Sequence, residues 1–262
     1  MKNKNSDAAI ESIVDSFHLA IDNFAIYWGK EYFTYSWLLD SLDKINILLD
    51  KKSITEGHIV SIEGDFTPVT ISFLISLIRK KAIIVPLNTT SKNNESLKKI
   101  PKINYEIKIN KDDTFSINKI NSKIISNKFF QKLNTSGHPG LVLFSSGSSG
   151  EPKAAVHDLE LLLKKFGKGR SKALVTLNFL MFDHWGGLNT MFHILSSGGT
   201  VISTKKRDPE SVCKMIEEHK IQLLPVSPSF LNLLLLSNSY KKYNLNSLRI
   251  ISYGTEPMPQ FT

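Results

Sequence analysis

Residues 144–153 read Phe-Ser-Ser-Gly-Ser-Ser-Gly-Glu-Pro-Lys. Ser145, Ser146, Ser148 and Ser149 offer hydroxyls, and Gly147 and Gly150 let backbone N–H groups converge. Lys153 adds a point charge, and the combination suits a polyphosphate. A Gly/Ser run can also be a flexible linker. Here it starts at the end of the apolar stretch Gly-Leu-Val-Leu-Phe, with no polar transition, and closes on Pro152 and Lys153. That context favours a loop that holds phosphate. The common nucleotide-binding loop has Lys-Ser/Thr directly after its last glycine, whereas Glu-Pro-Lys follows Gly150. The single cysteine, Cys213, leaves no internal disulfide and no multi-cysteine metal site. It lies on an amphipathic stretch and reads as a small core residue.

The elements that must position this loop follow from periodicity. Ile10, Ile13, Val14, Phe17 and Ala20 repeat near 3.6 residues and predict a helix over 8–24. Two short strands joined around Gly29-Lys30 come next, then a helix from about Thr34-Tyr35. The strand His-Ile-Val-Ser-Ile-Glu-Gly-Asp, a helix over Pro68–Ile78 and the strand Lys-Ala-Ile-Ile-Val-Pro-Leu-Asn make a βαβ unit, which favours a parallel sheet. Region 90–135 is polar, with short strands near Tyr105 and Phe115 and exposed connections. The strand ending at the Ser/Gly run is followed by a helix around 159–166, and residues 173–182 read as an apolar strand. Helices near 187–196, 210–220 and 228–237 then alternate with strands near 200–204, 221–227 and 247–254. The expected class is α/β, with parallel-rich sheets flanked by helices.

At 262 residues, 41% hydrophobic and 22% charged, the chain has the composition of a globular protein. Its first twenty residues carry charges throughout and lack the apolar run of a secretory signal. Arg79, Lys80 and Lys81 interrupt the most apolar segment, which argues against a membrane span. The expectation is a cytoplasmic protein. The net charge of +9 is spread over the chain without an aromatic and basic pattern, so no nucleic-acid partner is expected.

The Phe144–Lys153 stretch resembles the phosphate loop of the adenylate-forming (AMP-binding) superfamily, which includes acyl- and aryl-CoA synthetases, peptide-synthetase adenylation domains and luciferases. That loop reads aromatic, then Ser/Thr-Ser-Gly-Ser/Thr-Thr-Gly-x-Pro-Lys-Gly; Ser149 and Ala154 depart from it. Four further stretches match in order: Tyr32–Leu42, Gly57–Asn88, Phe179–Ile202 and Leu245–Pro259. The resemblance spans most of residues 31–259. It implies the front part of the large N-terminal domain of an adenylate-forming enzyme.

The implied reaction is ATP-dependent activation of a small carboxylic acid as acyl-AMP, followed by transfer to the thiol of CoA or of phosphopantetheine on a carrier protein. Ser145, Ser146, Gly147, Ser148, Ser149, Gly150 and Lys153 would then wrap the β- and γ-phosphates, while Gly254, Thr255, Glu256 and Pro257 would border the adenine. Asp183, Gly186 and Gly187 would line the acid, and His184 would stand beside the reacting carboxylate as the catalytic candidate. His-x-Gly-Gly favours an acyl- or aryl-CoA synthetase. Asp183 after Phe182 keeps amino-acid adenylation as the alternative, because amino-acid-activating members pair such an Asp with the substrate ammonium.

The family continues with a segment that stacks on adenine and holds Mg²⁺, an aspartate for the ribose, a hinge, and a small C-terminal domain carrying the adenylation lysine. None of these matches residues up to Thr262. The expectation is therefore an incomplete N-terminal AMP-binding domain over 1–262, with a first part over 1–135 and a phosphate-loop and adenine-wall part over 136–262. The C-terminal domain would be absent or supplied in trans, and the acid–thiol ligase would be inactive as this chain alone. A non-catalytic module that binds nucleotide or a partner is the other reading.

Overall fold

The computed structural model describes residues 9–89, 93–120, 127–146, 152–167, 172–254 and 256–258. Among the described residues, twelve strands form two six-stranded sheets. The first joins β1 (Phe24–Trp28), β2 (Glu31–Thr34), β9 (Val175–Leu177), β10 (Thr200–Ile202), β11 (Leu223–Val226) and β12 (Ile250–Tyr253) in the order β12-β11-β9-β10-β1-β2. The second joins β3 (Ile59–Gly64), β4 (Ile83–Asn88), β5 (Tyr105–Ile109), β6 (Phe115–Lys119), β7 (Gly140–Ser146) and β8 (Pro152–Asp158) in the order β6-β5-β3-β4-β7-β8. Both are parallel except for β2, β6 and β8, which turn back antiparallel at their edges. Each sheet draws strands from both sides of residue 135.

Parallel strands must be covered on both faces, and the helices meet that demand in layers. Helices α1 (Ala9–His18), α2 (Tyr35–Lys51), α3 (Pro68–Arg79) and α7 (Trp185–Ser196) share one core cluster with Val60, Ile62 and Ile84 of the second sheet and with Ile26 and Val201 of the first. They therefore lie between the sheets. Every residue of α3 except Val69 and Arg79 is buried, as a helix covered on all sides requires. Outside the second sheet, α5 (Lys128–Ser136) sets Phe130 and Leu133 against Ile83 and Val85; outside the first, α8 (Pro209–His219) and α9 (Pro228–Ser237) cover Leu177, Ile202 and Leu224. Alternation along β4 sends Ile83 and Val85 outward and Ile84 inward.

Helix starts are set locally. Thr67, Asp208 and Ser227 each cap a helix through a side-chain oxygen and are each followed by proline at the first helical position, where a missing N–H costs nothing. Thr34 caps α2 by accepting from the Trp37 N–H at 3.1 Å. Gly29 and Lys30 both have positive φ and close the β1–β2 turn with no intervening residues.

Four expectations change. The first helix ends at His18, not 24. The Ser/Gly run does not lead straight into a helix: β8 intervenes and pairs antiparallel with β7, and Asp158 then caps the short α6 (Leu159–Leu163). The apolar stretch 173–182 is a strand only over Val175–Leu177, because Asn178 and the residues after it turn away to reach the second sheet. Region 90–135 contains two helices besides its strands, α4 (Asn94–Lys99) and α5. Cys213 is buried in α8 as expected, and burial, then Glu210, pushes its thiol pKa up. No helix among the described residues is long and apolar enough to cross a membrane.

Tyr35 is fully buried, and its hydroxyl lies 2.7 Å from the Gly199 carbonyl and 3.1 Å from that of Leu195, tying α2 to the turn between α7 and β10. Removing that hydroxyl leaves buried carbonyls short of a donor. Tyr35→Phe is expected to lower unfolding free energy by about 1–3 kcal/mol in urea titration, with the slope unchanged.

Candidate functional site

In a parallel sheet every strand releases its chain at the same edge, and ligands of such folds sit at that edge where the strand order reverses. The first sheet reverses at β9, which has β10 on one side and β11 on the other. The second reverses at β3, which lies between β4 and β5. The two edges meet. Asp65 follows β3 and pairs with Arg207, which follows β10, at 3.4 Å. Phe66 meets Phe182 edge-on with centroids 5.3 Å apart. Asn88 ends β4 and points its amide nitrogen at the Met181 sulfur, 3.7 Å away. A cavity of about 420 Å³ opens at this junction, lined by Trp28, Asn88, Lys111, Lys205 and Arg207 among others.

Of the phosphate-loop candidates, Ser145, Ser146 and Lys153 lie at the same edge of the second sheet. Ser145 pairs with Lys153 and Ser146 with Pro152 at the top of the β7–β8 hairpin. Lys153 is exposed. Gly147, Ser148, Ser149 and Gly150 lie outside the described residues. At the root of the turn Ser145 and Lys153 stand opposite each other on adjacent strands. At the far end of the hairpin, His138 Nδ1 lies 2.8 Å from Asp158 Oδ2.

The four acid-facing candidates sit together where the post-β9 loop enters α7. Asp183 Oδ1 is buried and has no hydrogen-bond partner among the described residues; His184 Nε2 lies 3.8 Å away. His184 is the N-cap residue of α7 but makes no side-chain cap bond, and its ring is 65% exposed, free to meet a ligand. Gly187 lets the first turn of α7 lie directly on the loop: a Cβ there would meet the Met181 carbonyl oxygen at 2.3 Å and that of Leu180 at 2.9 Å. At Gly186 the obstacle would be only the tip of the Leu180 side chain, at 2.8 Å. Lys165 lies over the Trp185 ring at 5.3 Å, and burial, then Lys165, pushes the His193 pKa down further along the helix.

The adenine-side candidates leave the neighbouring strand end. Gly254 follows β12 with open space where a Cβ would be. Pro257 is exposed, and Thr255 lies outside the described residues. Glu256 turns back to the start of α9, where its carboxylate accepts from the Ser229 hydroxyl and from the Ser229 N–H at 3.3 Å. Glu256 thus links the post-β12 loop to the post-β11 loop.

Sequence reasoning overlooked Asp65, Asn178, Arg207 and Ser229. Asn178 is 1% exposed, and neither end of its amide has a partner among the described residues. A usable signal existed: polar residues directly after apolar strand runs mark the edge where ligands sit. One three-carboxylate grouping among the described residues, Glu63, Glu95 and Glu106, has metal-like spacing. Lys98 fills it, 2.9 Å from Glu63 and from Glu95 and also bonded to Glu106. Burial works against the Lys98 charge, and hydrogen bonds to Glu106, Glu95 and Glu63 overcome it, so its pKa stands above the ordinary lysine value.

Comparison with known proteins agrees with this geometry. The family model described as AMP-binding enzyme matches residues 59–262. The chain is 28% identical over 158 residues to 4-coumarate–CoA ligase-like 9 of Arabidopsis thaliana, covering 57% of this chain and 26% of that protein. It is 37% identical over 104 residues to phenyloxazoline synthase MbtB of Mycobacterium sp. (strain MCS), covering 36% of this chain and 9% of that one. The chain therefore spans well under two thirds of these relatives. Among solved structures, the inhibitor-bound N-terminal domain of FACL13 from Mycobacterium tuberculosis superposes with a TM-score of 0.78 at 16% identity, over 97% of this chain and 71% of that one. The fold is that of the N-terminal domain of adenylate-forming enzymes, and the chain belongs to the AMP-binding enzyme family.

Proposed function

We propose that this chain holds ATP and a small carboxylic acid for acyl-adenylate formation, as the nucleotide- and acid-binding part of an acid–thiol ligase. The observation that carries the reading is the meeting of two strand edges: the Ser145/Lys153 hairpin stem leaves one, and the Asp183–Gly187 and Gly254–Pro257 segments leave the other. In the reaction a carboxylate oxygen attacks the α-phosphorus, and pyrophosphate departs with the electrons of the broken P–O bond. A thiolate then attacks the acyl carbonyl and AMP leaves.

Joining two anions needs charge neutralisation and alignment more than covalent help from the protein. Lys153 and the Ser/Gly turn serve the departing pyrophosphate, and the exposed His184 ring serves the acid carboxylate. CoA is favoured as the thiol because the edge cavity sets Lys111, Lys205 and Arg207 beside the Trp28 ring, with Lys205 5.0 Å above it. Cations around an aromatic face suit a phosphorylated nucleotide tail. Amino-acid adenylation is the second reading, favoured by Asp183 alone: a buried carboxylate oxygen without a partner matches a substrate ammonium.

Three outcomes test these statements. Lys153→Ala should weaken ATP binding about tenfold or more in calorimetry while AMP changes by less than about twofold, since only ATP carries the β- and γ-phosphates. Equal losses would contradict the role given to the hairpin. The purified chain, which covers 71% of the FACL13 domain, should show weak or no ATP–pyrophosphate exchange with a panel of aryl, aliphatic and amino acids. Robust exchange would show that no further polypeptide is needed, and its pattern across the panel would decide between the two acid classes. Lys205→Ala should reduce CoA affinity about fivefold and leave that of dephosphorylated pantetheine unchanged.

A further inference from the structure

The loop over 178–184 carries Asp183 and His184 yet does little to hold itself. Its internal and neighbouring backbone bonds include Phe179 N–H to Leu177 O at 2.9 Å, His184 N–H to Met181 O at 3.3 Å, Leu188 N–H to His184 O at 3.3 Å, and Asn178 N–H to Ile202 O at 2.9 Å. The stronger ties come from the segment after β10 and, through it, from the opposite sheet. Arg207 donates from Nε to the Phe179 carbonyl at 2.7 Å and reaches both carboxylate oxygens of Asp65 from Nη2 at 3.4 Å.

Asp65 is itself held. Its Oδ1 accepts from the Phe66 N–H at 2.8 Å, and its carbonyl accepts from the Thr67 N–H at 2.7 Å. Phe66, fully buried, packs edge-on against the equally buried Phe182 and lies where a Cβ on Gly187 would touch its ring. The turn Asp65–Thr67 therefore grips the loop at both ends, through Arg207 at Phe179 and through Phe66 at Phe182. Asp183 follows the second grip directly.

We infer that Asp65 and Arg207 are a positioning pair that sets the pose of Asp183 and His184, with Asp65 acting from across the crevice through Arg207. The inference rests on the proposed role of those two residues in holding the acid. The geometry explains the choice of arginine. Its planar fork aims Nε at one acceptor and Nη2 at another, which a lysine ammonium on a flexible stem cannot do with the same rigidity. Neither Asp65 nor Arg207 is placed against the reacting atoms, so any effect on the acid passes through the loop.

The test combines amide hydrogen exchange with calorimetry on the full 262-residue chain. Arg207→Ala should speed exchange across 179–184 about tenfold, a change that corresponds to roughly 1.4 kcal/mol of local opening. Exchange in α3 and in α8, which begins two residues after Arg207, should stay as it was. Asp65→Asn, which keeps the Phe179 bond, should give a smaller increase, and Arg207→Lys should restore only part of the protection.

In calorimetry, Arg207→Ala should weaken benzoyl-sulfamoyl adenosine, a stable acyl-adenylate mimic, about tenfold and AMP less than about twofold. Unchanged exchange at 179–184, or an equal rise in α3 and α8, overturns the inference, as do equal losses for mimic and AMP. If the unsubstituted chain binds neither compound, the functional reading fails, and the exchange comparison alone decides whether the pair positions the loop.

Discussion

A parallel sheet has no face it can leave to water, and this molecule has two such sheets. The solution is a shared layer: α1, α2, α3 and α7 are covered on one side by β3 and β4 and on the other by β1 and β10. Sharing removes the freedom of each sheet to turn independently, and so brings their strand ends to one crevice. Removing about 25 cal/mol per Å² of apolar surface from water is what drives this arrangement. Chemistry is a by-product of that burial, because polar residues at strand ends gather wherever the chain leaves the core.

Charge is distributed accordingly. Away from the crevice, opposite charges are consumed in pairs: Lys98 by three carboxylates, and Arg79 by Glu11 at 2.9 Å. At the crevice several groups stay incompletely matched, including Asp183 Oδ1 and the whole amide of Asn178. Each buried polar atom without a partner costs about 1–3 kcal/mol.

Much of the fold was legible in the residues. Thr67-Pro68, Asp208-Pro209 and Ser227-Pro228 announce helix starts with a capping oxygen and a proline, and the apolar runs at β3, β4 and β11 announce buried parallel strands. Region 90–135 hid α4 and α5 because Asn and Lys blur the helical period, and both helices bury little of themselves. The strand β8 hid behind Pro152 and Lys153, which read as the end of a turn. The site was legible only in part. Asp183, His184 and the Ser/Gly run are candidates that local chemistry alone singles out. Arg207 and Asp65 are 142 positions apart, and no local pattern joins a side chain to the carbonyl of Phe179.

The contact beneath Gly187 bears on how the loop before α7 could be reshaped. Carbonyl oxygens of the backbone, not side-chain tips, stand where its first carbon would go. Backbone yields only by moving the loop, and the loop carries Asp183. A side chain at this position would therefore displace Asp183 together with the loop. Gly186 is the opposite case, since the Leu180 tip can swing aside. Position 186 thus leaves room for a small side chain, while 187 stays closed to any.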